Sequence, residues 1–370
     1  MKKAWVALAL SCALLLPLPI SSAAAAYAPR LVVTPASPGS GTADVTVALL
    51  GTDGDDVTAR SVVYLPLGYR TRQPAVGAQL GTARLNAVTP AGGLTTLTGA
   101  VRAVAAADYA GSTCAVGADV VWLVEVARSS TVIRIPLLVT PAPPAAATIA
   151  AATITACWPG PGTPDAGGLR PTSLTFVLGS TAVASPTATG TYRWRAQLTP
   201  FGAAAGAGEN AAGTVEAQSL VLIPLALRLS AKLTVRRTPT DLKVTRTVNG
   251  RPLTVVEHRV LVTRFALLTG SATEADAGLQ EAPIDVQGAS SPTRLHQLTQ
   301  IAADARGNFT TLVQINTNAK AVTWRASLEL GVRDRGAAAC VASFGAIPCV
   351  SATSGALTLT SRAVRLATGR

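Results

Sequence analysis

The stretch "GTYRWRAQLTPFG" (residues 190–202) decides the fold class, and "KAVTWRASLELGV" (residues 320–332) repeats its central pattern. In the first stretch every second residue from Tyr192 to Leu198 is apolar, and the residues between them are polar. The second stretch alternates in the same way around its own tryptophan. A period of two is typical of a β-strand with one buried face and one polar face.

The tryptophans Trp194 and Trp324 occupy the same position in the two stretches. We expect each ring to fill the middle of a sandwich core, where a tryptophan buries on the order of 150–250 Å². The alternative is a carbohydrate-binding platform of exposed tryptophan and arginine. The alternation disfavours this platform, because it places both rings on the apolar face and Arg193, Arg195 and Arg325 on the opposite one.

The rest of the chain has the composition of a β-protein. Valine and threonine are abundant, 32 glycines and 24 prolines interrupt the alternating segments, and no long segment shows a helical period. The length exceeds that of a typical single domain. We therefore predict an all-β fold of tandem β-sandwich, immunoglobulin-like domains. The first spans residues 27–225, as one unit or two subdomains, and the second spans 226–370, with the boundary near 225–240.

The first residues have the features of a secretory signal. Lys2 and Lys3 precede an apolar run at residues 4–20, and the small residues of "SSAAAAYA" follow it. The alternative is a retained membrane anchor, for which the apolar run is short. We predict that residues 1–26 are a signal peptide cleaved near Ala26, and that the mature chain is secreted without a transmembrane anchor.

Four cysteines remain in the predicted mature chain, and an even number in an oxidising compartment indicates disulfides. Three connectivities are possible, and the simplest joins neighbours in sequence. Free buried thiols are the alternative. No C-x-x-C spacing occurs, which disfavours a zinc or thioredoxin-like redox site. The predicted pairs are Cys114 with Cys157 and Cys340 with Cys349.

Positive charge is concentrated in one stretch. The whole chain has 31 Lys+Arg and 19 Asp+Glu, and residues 228–264 contain nine of the basic residues but only two acids. Strand alternation predicts a basic stripe on one solvent face, which would attract an anionic wall polymer or polysaccharide in a salt-dependent way. The alternative is an ordinary solvated sheet face. The stripe comprises Lys232, Arg236, Lys243 and Arg246, and the candidate binding set adds Arg237.

Nucleic acid is not the expected partner of this stretch. No Phe, Trp or Tyr falls within residues 228–264, so the bases of a single strand would have no stacking platform there. We therefore predict no specific nucleic-acid binding.

Motifs for catalysis are missing from the sequence. The two histidines, His258 and His296, lie in no H-x-x-H, H-E-x-x-H or G-x-S-x-G pattern, and neither a P-loop nor a dinucleotide fingerprint occurs. We predict no catalytic residue, no cofactor and no enzymatic activity.

One acidic cluster, "GTDGDDV" (residues 51–57), is a candidate metal site. The carboxylates of Asp53, Asp55 and Asp56 are oxygen ligands of the kind that Ca²⁺ prefers. The spacing does not fit an EF-hand loop, and the alternative is a solvated hairpin between two strands.

The C-terminal half contains the pieces Gly270, "APIDV" (residues 282–286), "DARGNF" (residues 304–309) and Trp324. This pattern, over about a quarter of the chain, resembles the immunoglobulin-like and carboxypeptidase-regulatory-like β-sandwich modules of secreted bacterial proteins. The resemblance implies a fold and no activity. Within it, Asp304 and Gly307 predict a turn before a strand that begins near Phe309.

The N-terminal half, with "VVYLPLGY" and "ACWPGPG", resembles a region of secreted proteins from high-GC actinobacteria, which implies no activity either. Our functional hypothesis is a secreted, non-enzymatic structural or adhesive protein of the cell surface or extracellular matrix. The alternative is a module that binds polysaccharide or anionic wall polymer, for which a row of exposed aromatic rings would be evidence. The third is a hydrolase without a recognisable motif, which would need a cleft lined by two carboxylates.

Overall fold

The computed structural model describes residues 27–35, 45–51, 54, 56–110, 118–128, 131–188, 190–202, 207–223, 226–274, 277–278, 282–290, 294–316 and 319–368. The predicted signal peptide, Cys114, Asp53 and Asp55 lie outside these residues, so the statements about them stay predictions.

Strands dominate the described chain, and the all-β prediction is confirmed. Short 3-10 turns lie at Ala106–Tyr109, Pro144–Ala146, Pro164–Ala166, Ala211–Gly213, Ala337–Ala339 and Phe344–Ala346. The strands are β1 (Arg30–Pro35), β2 (Val45–Leu50), β3 (Thr58–Pro66), β4 (Arg70–Thr71), β5 (Gln79–Val88), β6 (Leu94–Val104), β7 (Val120–Arg128), β8 (Thr131–Pro141), β9 (Ala150–Cys157), β10 (Arg170–Leu178), β11 (Val183–Ala184), β12 (Gly190–Pro200), β13 (Val215–Ile223), β14 (Ala226–Val248), β15 (Arg251–Glu274), β16 (Ala277–Gly278), β17 (Pro283–Ala289), β18 (His296–Ala302), β19 (Asn308–Gln314), β20 (Ala321–Leu330), β21 (Arg333–Asp334), β22 (Cys349–Ser354), β23 (Leu357–Thr360) and β24 (Val364–Ala367).

The part of the chain that the structure describes contains no helix with the length and apolar character of a membrane span.

The first sheet has 13 strands in the order β1-β2-β10-β5-β6-β7-β8-β9-β3-β12-β13-β22-β21. Its neighbours run antiparallel, except that β13 and β22 run parallel. Strands β7 and β8 form a hairpin in which Arg128 lies opposite Thr131. Most neighbouring strands of this sheet are therefore close in sequence, whereas β21 and β22 come from much further along the chain.

This sheet curls round one apolar core. Strand β1, at one end, contacts β13 and β22 at the other. The backbone N–H of Val33 donates to Ser219 Oγ at 2.9 Å, and Ser351 Oγ donates to the carbonyl of Pro29 at 2.8 Å. Trp122 and Trp194 are completely buried inside, and the ring of Tyr69 packs edge-on against Trp194 with centroids 4.8 Å apart.

Apart from β4 and β11, which form a short two-stranded sheet of their own, the remaining strands form two sheets that face each other. One contains β14, β15 and β16, with β19 also paired to β15, and the other has the order β18-β17-β20-β23, with β24 also paired to β20. Trp324 is 2% exposed and packs between them with Ala266, Leu268 and Val286. The burial of Trp194 and Trp324 in apolar cores is thus confirmed, whereas the immunoglobulin-like identity of the sandwich stays a prediction.

Two strands cross the predicted domain boundary. β21 and β22 come after residue 225, yet both join the first sheet, where β22 pairs with β13 from Glu216 to Leu220. Parallel neighbours need a long crossover connection, and here that connection contains the strands of the second sandwich except β23 and β24, which follow β22. The boundary near 225 therefore marks where the first sheet is interrupted, and residues 333–354 complete that sheet.

The acidic stretch at residues 51–57 does not connect a hairpin. β2 pairs with β1 and β10, whereas β3 pairs with β9 and β12, so the hairpin interpretation is wrong. Of the candidate calcium ligands only Asp56 lies in the described chain. No group of three or more His, Cys, Asp or Glu side chains that could hold a metal occurs among the residues described.

The turn at "DARGNF" is confirmed. The Asp304 carboxylate accepts hydrogen bonds from the backbone N–H groups of Arg306 and Asn308, each at 2.8 Å. These bonds to its charged form hold the pKa of Asp304 below its usual value. Gly307 takes the positive φ of 74°, and Phe309 follows as a buried residue of β19.

Candidate functional site: a basic β-arm

The predicted basic stretch forms one long antiparallel hairpin. β14 has 23 residues and β15 has 24, and they pair without interruption from Ala226 opposite Thr273 to Val248 opposite Arg251. Asn249 and Gly250 connect them with positive φ values of 52° and 78°. This geometry is that of a two-residue type I′ turn, for which Asn-Gly is the strongest sequence signal. The sequence contains this signal at residues 249 and 250, but we did not predict the hairpin from it.

Only the base of this hairpin belongs to the sandwich. β19 pairs with β15 from Phe265 to Ser271, and beyond that point neither hairpin strand has another strand partner within the described residues. Residues 235–264, hereafter the basic arm, include no buried residue. At about 3.3 Å per residue the arm is about 45 Å long. It therefore projects from the second sandwich as a two-stranded ribbon with both faces in solvent.

Half of the chain's net charge of +12 lies on this hairpin, where residues 226–274 contain nine Lys+Arg and three Asp+Glu. Residues 27–225 contain 11 Lys+Arg and 10 Asp+Glu, a net charge of +1. The basic arm alone has seven basic residues and two acids, a net charge of +5, and Lys232 lies just below it on β14. The seven are Arg236, Arg237, Lys243, Arg246, Arg251, Arg259 and Arg264.

The two acids of the arm are already paired. Glu257 accepts from Arg246 and from Arg259, whose Nη2 lies 2.6 Å from Glu257 Oε2. The hydrogen bond from Arg259, together with the charge of Arg246, holds the pKa of the Glu257 carboxyl below its usual value. Asp241 Oδ1 lies 2.6 Å from His258 Nδ1.

The other basic side chains of the arm form no ion pair with any described residue; they are Arg236, Arg237, Lys243, Arg251 and Arg264. Their charge is therefore available to an anionic partner.

The five candidate binding residues are all exposed, but they do not share a face. Residues directly opposite each other in an antiparallel pair point to the same side, and side chains alternate along each strand. Lys232, Arg236 and Arg246 lie on one face, whereas Arg237 and Lys243 lie on the other. The predicted single stripe is wrong for Lys243, because it is an odd number of residues from Arg236 and β14 continues between them without a bulge. The arm is thus basic on both faces.

A second polar cluster, which the sequence did not reveal, lies on the outer face of β12 and β13. Arg195 is only 7% exposed, and its Nη1 donates to Glu216 Oε1 at 3.0 Å and to the carbonyl of Ala342 at 3.0 Å. Glu216 is completely buried. The alternation correctly placed Arg195 opposite Trp194, but the arginine is covered by the segment around Ala342 and is not in solvent.

Gln218 connects the same cluster to that covering segment. Its Nε2 donates to Glu216 Oε1 at 2.6 Å and to the carbonyl of Val341 at 2.9 Å, while its Oε1 accepts from the N–H of Val341 at 3.1 Å. Arg193 Nη1 also donates to Gln218 Oε1, at 2.8 Å. These hydrogen bonds provide partners for most of the buried polar side-chain atoms of the cluster. They also attach the covering segment around Ala342 to the first sheet.

A disulfide closes the covering segment. Cys340 and Cys349 are bonded, with Cα atoms 6.2 Å apart, so this predicted pair is confirmed. Although both cysteines come late in the chain, they lie against the first sheet, because Cys349 begins β22. Cys157 is also disulfide-bonded. Its predicted partner, Cys114, lies outside the described residues, and that pairing stays a prediction.

Replacing Cys340 and Cys349 with serine is expected to loosen this segment. On the chain-entropy estimate a crosslink this short contributes about 2–3 kcal/mol. Hydrogen exchange of the Val341 N–H, which Gln218 protects, is the measurement, and exchange should accelerate strongly while the N–H groups of β7 and β8 keep their protection. Unchanged protection of Val341 in the variant would show that the disulfide is not needed to hold the segment.

A cavity of about 360 Å³ lies on the surface beside this cluster. The described residues that line it include no carboxylate, and among them are Arg60, Gln197, Thr199 and Thr214. Tyr64 Oη donates to Gln197 Oε1 at 3.0 Å, and burial, with a smaller effect of Glu216, raises the pKa of Tyr64 to about 12. The tyrosine therefore keeps its proton at neutral pH and acts as a hydrogen-bond donor.

The chain has no match among models of known protein families, among curated proteins or among solved structures. Its function is therefore inferred from its own residues, and the resemblances drawn from short sequence pieces stay predictions.

Proposed function

We propose that the chain is an exported, non-enzymatic protein of the cell surface or matrix that attaches to anionic polymer through the basic arm. The observation that carries the proposal is the arm itself, which projects beyond the sandwich, exposes both faces and has a net charge of +5. In this proposal the basic arm binds the polymer and thereby also gives the protein its adhesive role.

The physical basis is electrostatic. Like charges along the two strands repel one another, and a polyanion relieves that repulsion while it releases its own counterions. Because the arm is basic on both faces, a polymer chain can contact it from either side. The sandwich lies at the base of the arm, so it does not block a polymer surface from contacting the outer part. Exposed charges are screened over about 10 Å at 0.1 M salt, so binding should weaken steeply as salt is added.

The test is cosedimentation with purified cell wall that carries anionic polymer, at low and at moderate salt. Changing the five candidate residues together to glutamine is expected to weaken binding by at least about tenfold at low salt. The fold should persist, because all five side chains are exposed, and circular dichroism checks this. The variant combines changes at Lys232, Arg236, Arg237, Lys243 and Arg246.

A matched control removes the same charge elsewhere. Five exposed arginines outside the hairpin are changed to glutamine, and this variant should keep most of the binding. Equal loss in the two variants would mean that net charge alone matters, and unchanged binding by the arm variant would refute the proposal. The control residues are Arg70, Arg84, Arg306, Arg362 and Arg365.

A further inference from the structure

The outer part of β15 has an unpaired backbone edge. Ile315 N–H donates to the carbonyl of Arg264 at 2.9 Å, and Ala272 N–H donates to the carbonyl of Gly307 at 2.8 Å, so the even-numbered residues of β15 direct their backbone groups away from β14. In an antiparallel pair, successive residues of one strand direct their backbone groups alternately toward and away from the partner strand. From Thr254 to Val262 these groups meet no other strand among the described residues.

Such an edge is a template for another strand. Native proteins usually shorten, cover or charge it, because a long edge with apolar side chains recruits a further chain. Here Val256, Val260, Leu261 and Val262 are between 47% and 59% exposed. An isolated two-stranded hairpin is also only marginally stable in water, whereas three or more strands support one another. The basic arm therefore has unpaired backbone groups, and pairing with a further strand would stabilise it.

The sequence of this edge is complementary to itself. In "TVVEHRVLV" (residues 254–262) Glu257 and Arg259 flank His258, and apolar residues extend on both sides. When two copies of β15 are placed antiparallel with His258 opposite His258, each Glu257 lies opposite Arg259 of the second copy. The next pairs outward are Val256 with Val260 and Val255 with Leu261. A two-fold interface requires this kind of self-complementarity.

Charge selects this register over its neighbours. Moving the two-fold axis by one residue places either two Glu257 or two Arg259 side chains directly opposite each other, and like charges in that position are destabilising. The axis at His258 also pairs even-numbered residues with even-numbered residues, so the outward backbone groups of the two strands meet. Pairing extends to Leu253 opposite Thr263, because beyond this point Ile315 already occupies the edge at Arg264.

We propose that two copies of this chain dimerise by antiparallel pairing of their β15 edges about His258, which makes a four-stranded sheet in the order β14-β15-β15-β14. The occupant of the edge is thus a second copy. Dimerisation leaves the side chains of Arg236, Arg237 and Lys243 on β14 exposed, so the dimer would present two basic arms side by side. This inference does not depend on polymer binding.

The test is a charge exchange between copies, measured on the mature chain by analytical ultracentrifugation without any polymer. Wild type should dimerise with rising concentration. In a dimer of Glu257→Arg, the new arginine lies opposite Arg259 of the second copy on both sides of His258. In a dimer of Arg259→Glu, the new glutamate lies opposite Glu257 of the second copy. Each variant alone should therefore be monomeric. An equimolar mixture restores both ion pairs and should dimerise again. Recovery in the mixture also shows that both variants are folded.

A crosslink measures the register directly. His258→Cys is expected to form a disulfide between two copies on mild oxidation, since opposite residues of an antiparallel pair lie within disulfide reach. Val260→Cys is the matched control and should not crosslink, because in this register it lies opposite Val256. A wild type that is monomeric at all concentrations, a mixture that stays monomeric, or equal crosslinking of the two cysteine variants would each overturn the proposal.

Discussion

Arg195→Ala is expected to lower the free energy of unfolding by about 3–5 kcal/mol, because it leaves the charge of Glu216 buried without its cation. Glu216 is completely buried, and Arg195 Nη1 lies 3.0 Å from its Oε1. Gln218 remains as a neutral donor, which cannot balance the charge. The variant also loses the bond to the carbonyl of Ala342 and thus one attachment of the disulfide-closed segment. Urea unfolding followed by circular dichroism is the measurement.

Two controls distinguish this charge effect from simple loss of contact. Replacing Arg195 with methionine and Glu216 with leucine together removes both charges, so it should cost less than Arg195→Ala alone. Arg134 also pairs with a glutamate across neighbouring strands of the first sheet, Glu125 at 3.2 Å, but its side chain is 62% exposed. Arg134→Ala should therefore cost no more than about 1 kcal/mol. Equal costs at Arg195 and Arg134 would contradict the assignment of a buried ion pair.

Trp324→Ala is expected to destabilise the second sandwich by about 3–5 kcal/mol, the usual cost of removing a buried aromatic ring. Trp324 is 2% exposed and packs against Ala266 and Leu268 of β15, at the base of the basic arm. Loss of the ring should therefore loosen β15 and β19 as well as β20. Hydrogen exchange of these strands, together with urea unfolding, measures the effect.

The matched control for Trp324 is Leu312→Ala on β19. Leu312 is 53% exposed, so its truncation should change stability by about 0.5 kcal/mol or less. The first sheet has its own core around Trp194, and its strands β7 and β8 should keep their protection in Trp324→Ala. A loss of protection of equal size in β7 and β8 would show that the two cores unfold as one unit.

Local pattern determined much of this fold. Alternation in the two "WRA" stretches predicted which face of each strand is apolar, and Trp194 and Trp324 are buried as expected. The β7–β8 hairpin, the turn at Asp304 and the Cys340–Cys349 pair also join residues close in sequence. Such features depend on side-chain periodicity and turn chemistry within a few residues, and these are properties that the sequence alone expresses.

Only the tertiary structure decided which polar faces meet solvent and which edges stay free. Arg195 and Lys243 both lie on polar positions of strands, yet Arg195 is buried beneath residues 340–342 and Lys243 is exposed. The difference arises from strands distant in sequence: β22 returns to the first sheet, whereas β19 ends at Gln314 and leaves the arm uncovered. Pairings between distant strands depend on loop closure and on the competition of all edges, so no local pattern specifies them.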